Sequence, residues 1–132
     1  MTRFCLDTSA YSLWQRGHPE AGRLIDGCPD LGVPAIVIGE LRAGFKKGNR
    51  EQKNEAELRR FLANPCVRVL DVEEEAATQY AQIVLDLSLA GTPVPTNDIW
   101  IAAVALREGM ALLTFDDHFS RIRRVGVHLL KP

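Results

Sequence analysis

The sequence predicts an α/β fold, in which a central and mostly parallel sheet lies between two layers of helices. Short apolar runs of strand length alternate along the chain with longer segments of helical periodicity. Several of the short runs are apolar at every position, which is typical of strands that are buried on both faces. The chain has 132 residues, of which 46% are hydrophobic. We therefore expect residues 1–132 to form a single domain with a substantial core.

Five segments are candidate strands. The first is the apolar run Phe4-Cys5-Leu6, which ends abruptly in Asp7, Thr8 and Ser9. The other candidates are residues 31–33, which form the weakest, Val67–Leu70, Ala111–Thr114 and residues 127–130. All five are short, rich in β-branched or large apolar residues, and separated by helical patterns.

Helical periodicity marks the segments between the strands. Two helices each place three apolar residues on one face: Val37, Leu41 and Phe45 in one, and Leu58, Phe61 and Leu62 in the next. A longer helix follows Asp71 and Glu74, which have the spacing of a capping box, and it ends before Gly91. Its predicted apolar face consists of Ala76, Tyr80, Ile83, Val84 and Leu87. The segment "IWIAAVAL", residues 99–106, is apolar all round and predicts a buried helix.

Charge and cysteine content exclude several classes of protein. The formal net charge is −1 and the pI is about 6.3, so any nucleic-acid site must rest on a local basic cluster. Cys5, Cys28 and Cys66 lie far apart and form no C-x-x-C pair, which argues against a disulfide framework and a thiolate zinc site. With no targeting leader and no apolar run of the ~18 residues that span a membrane, we expect a cytoplasmic protein.

Four acids occupy positions where a parallel sheet gathers ligands. Asp7 and Asp116 follow strands, Asp98 opens the apolar helix, and Glu40 lies early in the helix after the second strand. Ligands in such folds bind at the carboxyl ends of the strands, so we expect the four side chains to converge. The alternative is that each aspartate only caps a helix. Glu40 lies between apolar residues, where a charge is unfavourable unless it is paired or coordinated.

Converging carboxylates imply a cation. Two unit charges ~4 Å apart repel by about 4 kcal/mol at an effective dielectric constant of ~20. Oxygen ligands favour Mg²⁺ or Mn²⁺ over zinc. The histidines are interpreted as structural or surface groups: His18 precedes a proline in a loop, His118 is near Asp116 but alone, and His128 lies in the last strand.

Four segments in this order, "LDTSAY", "GELRAGF", "PTNDIWIAAVAL" and "LLTFDDHF", resemble the motifs of PIN-domain nucleases, and most of all the VapC-type toxins of toxin–antitoxin pairs. The resemblance spans residues 3–130. It implies an α/β/α sandwich, Mg²⁺- or Mn²⁺-dependent RNA cleavage, a cognate antitoxin and a homodimer. The residues that it assigns to catalysis and metal binding are Asp7, Glu40, Asp98 and Asp116. Around them, Thr8 and Thr114 would orient the carboxylates, Ser9 would help Thr8 to cap the next helix and steady Asp7, and Asp117 is an additional nearby acid.

A basic segment offers a place for RNA. Residues 42–60 contain seven basic and three acidic residues, a local net charge of +4. Arg42, Lys46, Lys47 and Arg50 are the candidate RNA contacts, and residues 121–124, "RIRR", form a second basic cluster. The alternative interpretation is a pair of solvated helix faces.

Two other functions remain open at this stage. Lys131-Pro132 after the last strand also suits a phospho-receiver domain, although such a domain needs a second acid beside Asp7 and a further helix. An inactive binding module on a PIN fold is the other alternative, and the presence of all four acids argues against it. For an antitoxin we expect two contacts: the acid cluster, which suits an inserted Arg or Lys, and apolar surface at Trp14 or Phe45.

Overall fold

The computed structural model describes residues 2–132, and five parallel strands form its only sheet within that range. The strand order across the sheet is β3-β2-β1-β4-β5. The strands are β1 Phe4–Leu6, β2 Leu31–Pro34, β3 Val67–Leu70, β4 Ala111–Thr114 and β5 Val127–Leu129. All five predicted strands are thus confirmed, including the weakest, and the sheet is parallel throughout.

Six α-helices flank the sheet and give the predicted three-layer arrangement. They are α1 Thr8–Gln15, α2 Pro19–Asp26, α3 Ala35–Lys47, α4 Glu51–Leu62, α5 Glu74–Ala90 and α6 Thr96–Glu108, with a 3-10 helix at Asp117–Arg121. A phospho-receiver domain has the strand order 2-1-3-4-5, so the order seen here contradicts that alternative. No helix within residues 2–132 is long and apolar enough to cross a membrane.

The centre of the sheet is buried and tightly packed. Every residue of β1 is buried, as are residues 101–105 of α6, so the prediction of a buried helix is confirmed. Gly32 in β2 shows how close the packing is. A Cβ atom at this position would lie 2.5 Å from Leu70 Cδ1 and 2.7 Å from Met110 Sδ, so a larger residue would push the neighbouring elements apart. This rigid centre fixes the strand ends that carry the acids.

The structure corrects the sequence prediction at several points. Glu73, not Asp71, is the N-cap residue of α5, and its side chain makes no capping hydrogen bond, so the predicted capping box is wrong. Val84 on the same helix is 39% exposed and does not belong to the apolar face. His18 does not lie in a loop: it is the N-cap of α2, and its Nδ1 accepts a hydrogen bond from Ala21 N. The signal for α2 was Pro19, because proline is favoured at the first position of a helix.

The end of α5 is as predicted. Gly91 is the C-cap residue and adopts a left-handed conformation with φ of +68°, which residues with a side chain rarely adopt. In the two preceding helices, Val37, Leu41, Phe45, Leu58 and Phe61 are buried as their periodicity predicted. The three cysteines are free, with Cys5 and Cys28 buried and Cys66 exposed.

Candidate metal centre

The four predicted acids lie on four different elements at the carboxyl edge of the sheet. Asp7 directly follows β1 and is the N-cap of α1, and Asp116 comes two residues after β4 and is the N-cap of the 3-10 helix. Asp98 lies in the first turn of α6, and Glu40 lies in the second turn of α3. The neighbouring order of β1 and β4 in the sheet brings Asp7 and Asp116 together.

Asp7 is buried, with 5% of its surface exposed, and its carboxylate is held from three sides. Thr114 Oγ1 donates to Oδ2 at 2.7 Å, Ser9 Oγ donates to Oδ1 at 2.8 Å, and Ala10 N donates to Oδ1 at 2.9 Å. Burial raises the pKa of Asp7 above its ordinary value, and the charge of Asp116 adds to this, while the hydrogen bonds oppose it. Asp7 therefore both caps α1 and faces the acid cluster, so the two interpretations are compatible.

The hydroxyls of Ser9 and Thr114 also fix the segment that carries Asp116. The backbone N–H of Phe115 donates to Ser9 Oγ at 2.9 Å, and that of Asp116 donates to Thr114 Oγ1 at 2.9 Å. Thr114 is itself fully buried. The end of β1 and the end of β4 are thus tied together by side-chain hydrogen bonds as well as by the sheet.

Glu40 is positioned by two other polar residues. Thr8 Oγ1 donates to Oε1 at 2.7 Å, and Asn97 Nδ2 donates to Oε2 at 3.4 Å. Thr8 therefore holds Glu40 rather than Asp7, which differs from the expectation that it caps the helix and steadies Asp7. The Thr8 contact joins α1 to α3. The role of Asn97 was missed because its contact with Glu40 depends on how α6 packs against α3. The residue at the cap position of α6 is Pro95, and no side chain caps that helix.

Asp98 shows most directly that the acids share one site. Its side chain is 17% exposed. Burial is the largest cause that raises the pKa of Asp98 to about 6, and the charges of Asp116, Glu40 and Asp7 raise it further. The charge of His118 opposes these effects. The charges of all three other predicted acids thus act on this one carboxyl group.

His118 belongs to this site, so its interpretation as a structural or surface group is wrong. Its Nδ1 lies 3.0 Å from Asp116 Oδ1 and 3.7 Å from Asp98 Oδ2. This nitrogen is buried and has no hydrogen-bond partner within residues 2–132. One donor atom each from Asp98, Asp116 and His118 lie within 4.8 Å of one another. The available signal was the position of His118 two residues after Asp116, at the end of a strand.

These donors suit a divalent cation. Carboxylate oxygens are the ligands that Mg²⁺ and Mn²⁺ prefer, and imidazole nitrogen extends the range to later transition metals. Within residues 2–132, neither lysine nor arginine forms an ion pair with any of the four acids. The cluster therefore has no lysine or arginine partner to neutralise it, which is a condition in which a metal ion binds well.

The remaining predicted residues lie outside this group. Asp117 is exposed and is not among the clustered donors. Arg42 forms a two-point ion pair with Glu55, at 3.0 and 2.9 Å, and Lys46 pairs with Glu51 at 2.9 Å, so both are engaged on the surface. Lys47 and Arg50 are exposed and have no ion pair within the part of the chain that the structure describes. In the second basic cluster, Arg121 donates to Pro93 O at 2.8 Å and Arg124 pairs with Asp86.

Fold and site together define a class: a parallel α/β domain with a cluster of acids at the carboxyl edge of its sheet, whose donor atoms could hold a metal ion. The chain belongs to the PIN domain family, whose family model matches residues 4–125, and it falls in the VapC group of that family. It is 31% identical to Ribonuclease VapC4 of Mycobacterium tuberculosis over 98 residues, which are 74% of this chain and 75% of that protein. It is 32% identical to the plasmid stability protein StbB of Pseudomonas syringae pv. tomato, covering 96% of each chain.

Solved structures agree with the assignment of the chain to this family. The DNA-bound VapBC of Salmonella typhimurium contains a chain that is 28% identical to this one, with a TM-score of 0.84. The match covers 97% of this chain and 98% of that chain. The resemblance inferred from the four sequence motifs is thereby confirmed at the level of the family and the fold.

Proposed function

We propose that the protein is an endoribonuclease that depends on Mg²⁺ or Mn²⁺ and acts as the toxin of a toxin–antitoxin pair. The observation that carries the proposal is the donor cluster: one atom each from Asp98, Asp116 and His118 lie within 4.8 Å of one another. The charges of Asp116, Glu40 and Asp7 add to burial in raising the pKa of Asp98, so the four acids act on one another. Its relative VapC4 is named a ribonuclease, which supports RNA as the substrate. We further propose that residues 1–132 act as one PIN domain in the cytoplasm, where RNA is present.

The residues at the site divide into two roles. Asp98, Asp116 and His118 would hold the ion, and the buried Asp7 and the hydrogen-bonded Glu40 would supply further negative charge around it. A divalent ion held by these residues would lower the pKa of a bound water and offset the charge of a phosphate. Thr114, Ser9 and Thr8 keep the Asp7 and Glu40 carboxylates in place, so that little reorganisation accompanies binding.

His118 bears on which metal acts. Magnesium favours oxygen ligands, whereas manganese also accepts imidazole nitrogen. His118 Nδ1 faces Asp116 and Asp98 and has no hydrogen-bond partner within residues 2–132, so it is placed to serve as a ligand. We therefore expect Mn²⁺ to bind more tightly than Mg²⁺, and His118→Ala to reduce that difference.

A cleavage assay tests the proposed activity. Purified protein is incubated with a structured RNA in Mg²⁺, in Mn²⁺ and in EDTA, and the products are resolved on a denaturing gel. We expect internal cleavage in both metals and none in EDTA, with activity restored when Mn²⁺ is added back. Undiminished cleavage in EDTA would contradict a metal-dependent mechanism. Failure of the folded wild type to cleave in either metal would favour the inactive binding module instead.

Partner binding is the second part of the proposal. The Salmonella typhimurium relative was solved as a VapBC complex, which supports an antitoxin for this chain. Of the two residues expected to offer apolar surface to an antitoxin, Phe45 does not do so, because it is 9% exposed and belongs to the core. Trp14 stays partly exposed and, with Tyr11 and Phe61, lines a cavity of about 550 Å³. The acid cluster remains the contact for an inserted arginine or lysine. The homodimer also stays a prediction.

Expression in a bacterial host tests the toxin role. Expressed alone, the wild type is expected to arrest growth, and its genomic neighbour is expected to restore growth and co-elute with it in size-exclusion chromatography. Asp98→Asn is the matched control for toxicity, because it should not arrest growth. It removes one charge from the acid cluster, so it should weaken the complex with the partner without abolishing it, since the apolar contact at Trp14 remains. An active wild type that is harmless and elutes without the neighbour's product would leave a nuclease that is not a toxin.

A further inference from the structure

A cavity of about 490 Å³ opens directly beside the acid cluster, and the proposed metal centre does not use it. It lies between the segment after β4 and residues 129–132, at the carboxyl edge of the sheet. Its lining includes Asp116, which belongs to the acid cluster, and Ser9, which donates to Asp7. A group in this cavity would therefore be a neighbour of any phosphate held at the cluster. The volume falls within the range of small-molecule binding sites.

One wall of the cavity is an exposed aromatic ring on a fixed backbone. Phe115 is 40% exposed, although it lies between the buried Thr114 and the clustered Asp116. Its backbone N–H donates to Ser9 Oγ, and the next N–H donates to Thr114 Oγ1, so the backbone on both sides is held. Burying this ring in the core would stabilise the fold, yet its face is left open to solvent. Such a ring serves as a platform on which a nucleobase can stack.

The opposite wall is also held in place. Leu130 N donates to Thr114 O at 2.6 Å, and His18 Nε2 donates to Lys131 O at 2.6 Å. His18 Nδ1 accepts from Ala21 N, which leaves the proton on Nε2 for this contact. Leu129, 40% exposed, adds apolar surface to the cavity. The cavity is therefore formed before any ligand binds.

Charge at the rim suits a nucleotide. Lys131 lines the cavity and forms no ion pair within residues 2–132, so its ammonium group is available to a phosphate. Asp117 lines the same cavity and offers acceptors to the amino groups of a base. The three groups match the parts of one nucleotide. The aromatic ring suits the face of the base, the cation suits the phosphate, and the acceptor suits the edge of the base.

We propose that this cavity is a nucleobase-binding subsite, in which Phe115 stacks on the base of a nucleotide that flanks the cleaved bond. Lys131 contacts the backbone phosphate of the same strand. The inference rests on the proposed ribonuclease activity and adds a determinant of where the RNA is cut. The occupant is single-stranded, because only an unpaired and unstacked base can lie on a side-chain ring.

Three substitutions at one position separate stacking from simple apolar contact. Phe115→Ala removes the ring, Phe115→Leu keeps an apolar side chain without an aromatic face, and Phe115→Tyr keeps the face. With a short single-stranded RNA that the wild type cleaves, we expect Ala and Leu to raise KM about tenfold, the equivalent of about 1.4 kcal/mol, with kcat little changed. Tyr should resemble the wild type. Val69→Ala is the matched control and should leave KM unchanged. It trims an exposed apolar residue on β3, the outermost strand on the side of the sheet away from β4 and β5.

An abasic substrate completes the test as a double-mutant cycle. Each nucleotide that flanks the mapped cleavage site is replaced in turn by an abasic one, and KM is measured with the wild type and with Phe115→Ala. At one flanking position the loss of the base should raise KM about tenfold for the wild type and have little further effect on Phe115→Ala. Equal effects on both proteins at both positions, or wild-type KM for Phe115→Leu, would overturn the subsite.

The same series distinguishes the subsite from the activity on which it rests. A wild type that cleaves no RNA overturns the proposed function, and the subsite with it. A wild type that cleaves normally but shows no coupling between Phe115 and a base overturns the subsite alone. If Phe115→Ala leaves KM unchanged and instead weakens the complex with the protein partner, the cavity is a protein contact and the proposal is wrong.

Discussion

The two ends of the sheet carry acids in opposite electrostatic settings. At the amino edge, Asp30 accepts from Arg3 at 2.8 Å and from Arg68 at 2.9 Å, and these arginines hold its pKa below the ordinary value. At the carboxyl edge, burial and three neighbouring acids raise the pKa of Asp98 to about 6. The first arrangement stabilises the fold, whereas the second is unfavourable in the absence of a cation. Acids that are gathered without arginine partners are therefore the basis on which we propose the carboxyl edge as the functional end of this molecule.

The ion pairs at the amino edge form a connected network. Arg68 also contacts Glu108 at 3.2 Å, and Arg107 contacts Glu108 at 3.1 Å. The pairs made by Arg3 and Arg68 are partly exposed, so each contributes little on its own, on the order of 1 kcal/mol or less. Asp30→Asn is consequently a useful control, because it changes an aspartate of the same sheet without touching the acid cluster.

The largest difference between the two ends should appear in catalysis. Asp98→Asn is expected to lower RNA cleavage in Mn²⁺ by more than about a hundredfold, because an amide carries no charge and is a poorer metal ligand. Asp30→Asn should retain activity close to that of the wild type. Circular dichroism of both variants shows whether they remain folded. Equal activity of the two variants would remove the functional distinction between the edges.

Metal should raise the stability of the wild type and of a variant at the amino edge, but not that of a variant in the acid cluster. At Mn²⁺ concentrations about a hundredfold above Kd, binding to the folded state alone raises the free energy of unfolding by about 2.7 kcal/mol. Thermal scans of the wild type and of Asp30→Asn should both show this increase. Asp116→Asn, with one charge fewer in the cluster, should melt higher than the wild type without metal and gain little from Mn²⁺. Identical behaviour of wild type and Asp116→Asn in both conditions would mean that the acids do not share a site.

The pH dependence of stability should also differ between the edges. The folded-state pKa of Asp98 is raised from 3.8 to about 6, so its contribution to stability is present below about pH 4 and is lost as the pH rises through 6. Metal-free wild type should therefore gain about 1 kcal/mol relative to Asp98→Asn when the pH falls from 7 to 5. Asp30 has a lowered pKa, so its contribution is constant over that range and is lost only in stronger acid. Urea unfolding at the two pH values measures the difference, and parallel curves would count against the raised pKa.

Much of the fold was predictable because the strands are short, apolar runs, and the three central strands β1, β2 and β4 are buried. The runs Val67–Leu70 and Ala111–Thr114 are strands with the predicted bounds, since their apolar residues and flanking helical patterns leave few alternatives. Helix starts were harder to predict. Asp71 and Glu74 have a capping spacing, yet α5 begins after Glu73, because a short-range motif does not determine where tertiary packing starts a helix.

The site was predictable in its charged residues but not in its contacts. Strand ends and helix starts place acids at one edge of a parallel sheet, which is a rule of topology. Two contacts depend on distances between elements, which no local sequence pattern encodes. Thr8 contacts Glu40, and His118 faces Asp98 and Asp116. The same holds for Arg42 and Lys46 of α3, whose ion pairs with Glu55 and Glu51 join α3 to α4.

Direct measurement of Mn²⁺ binding tests the central claim that the carboxyl edge is one metal centre. Free Mn²⁺ is followed by electron paramagnetic resonance while it is titrated into wild type, Asp98→Asn and Asp30→Asn at equal protein concentrations. The account predicts that wild type and Asp30→Asn deplete the free signal alike and that Asp98→Asn binds at least about tenfold more weakly. Equal depletion by Asp98→Asn and wild type would contradict it, because the acid on which the three others act would then have no part in holding the metal.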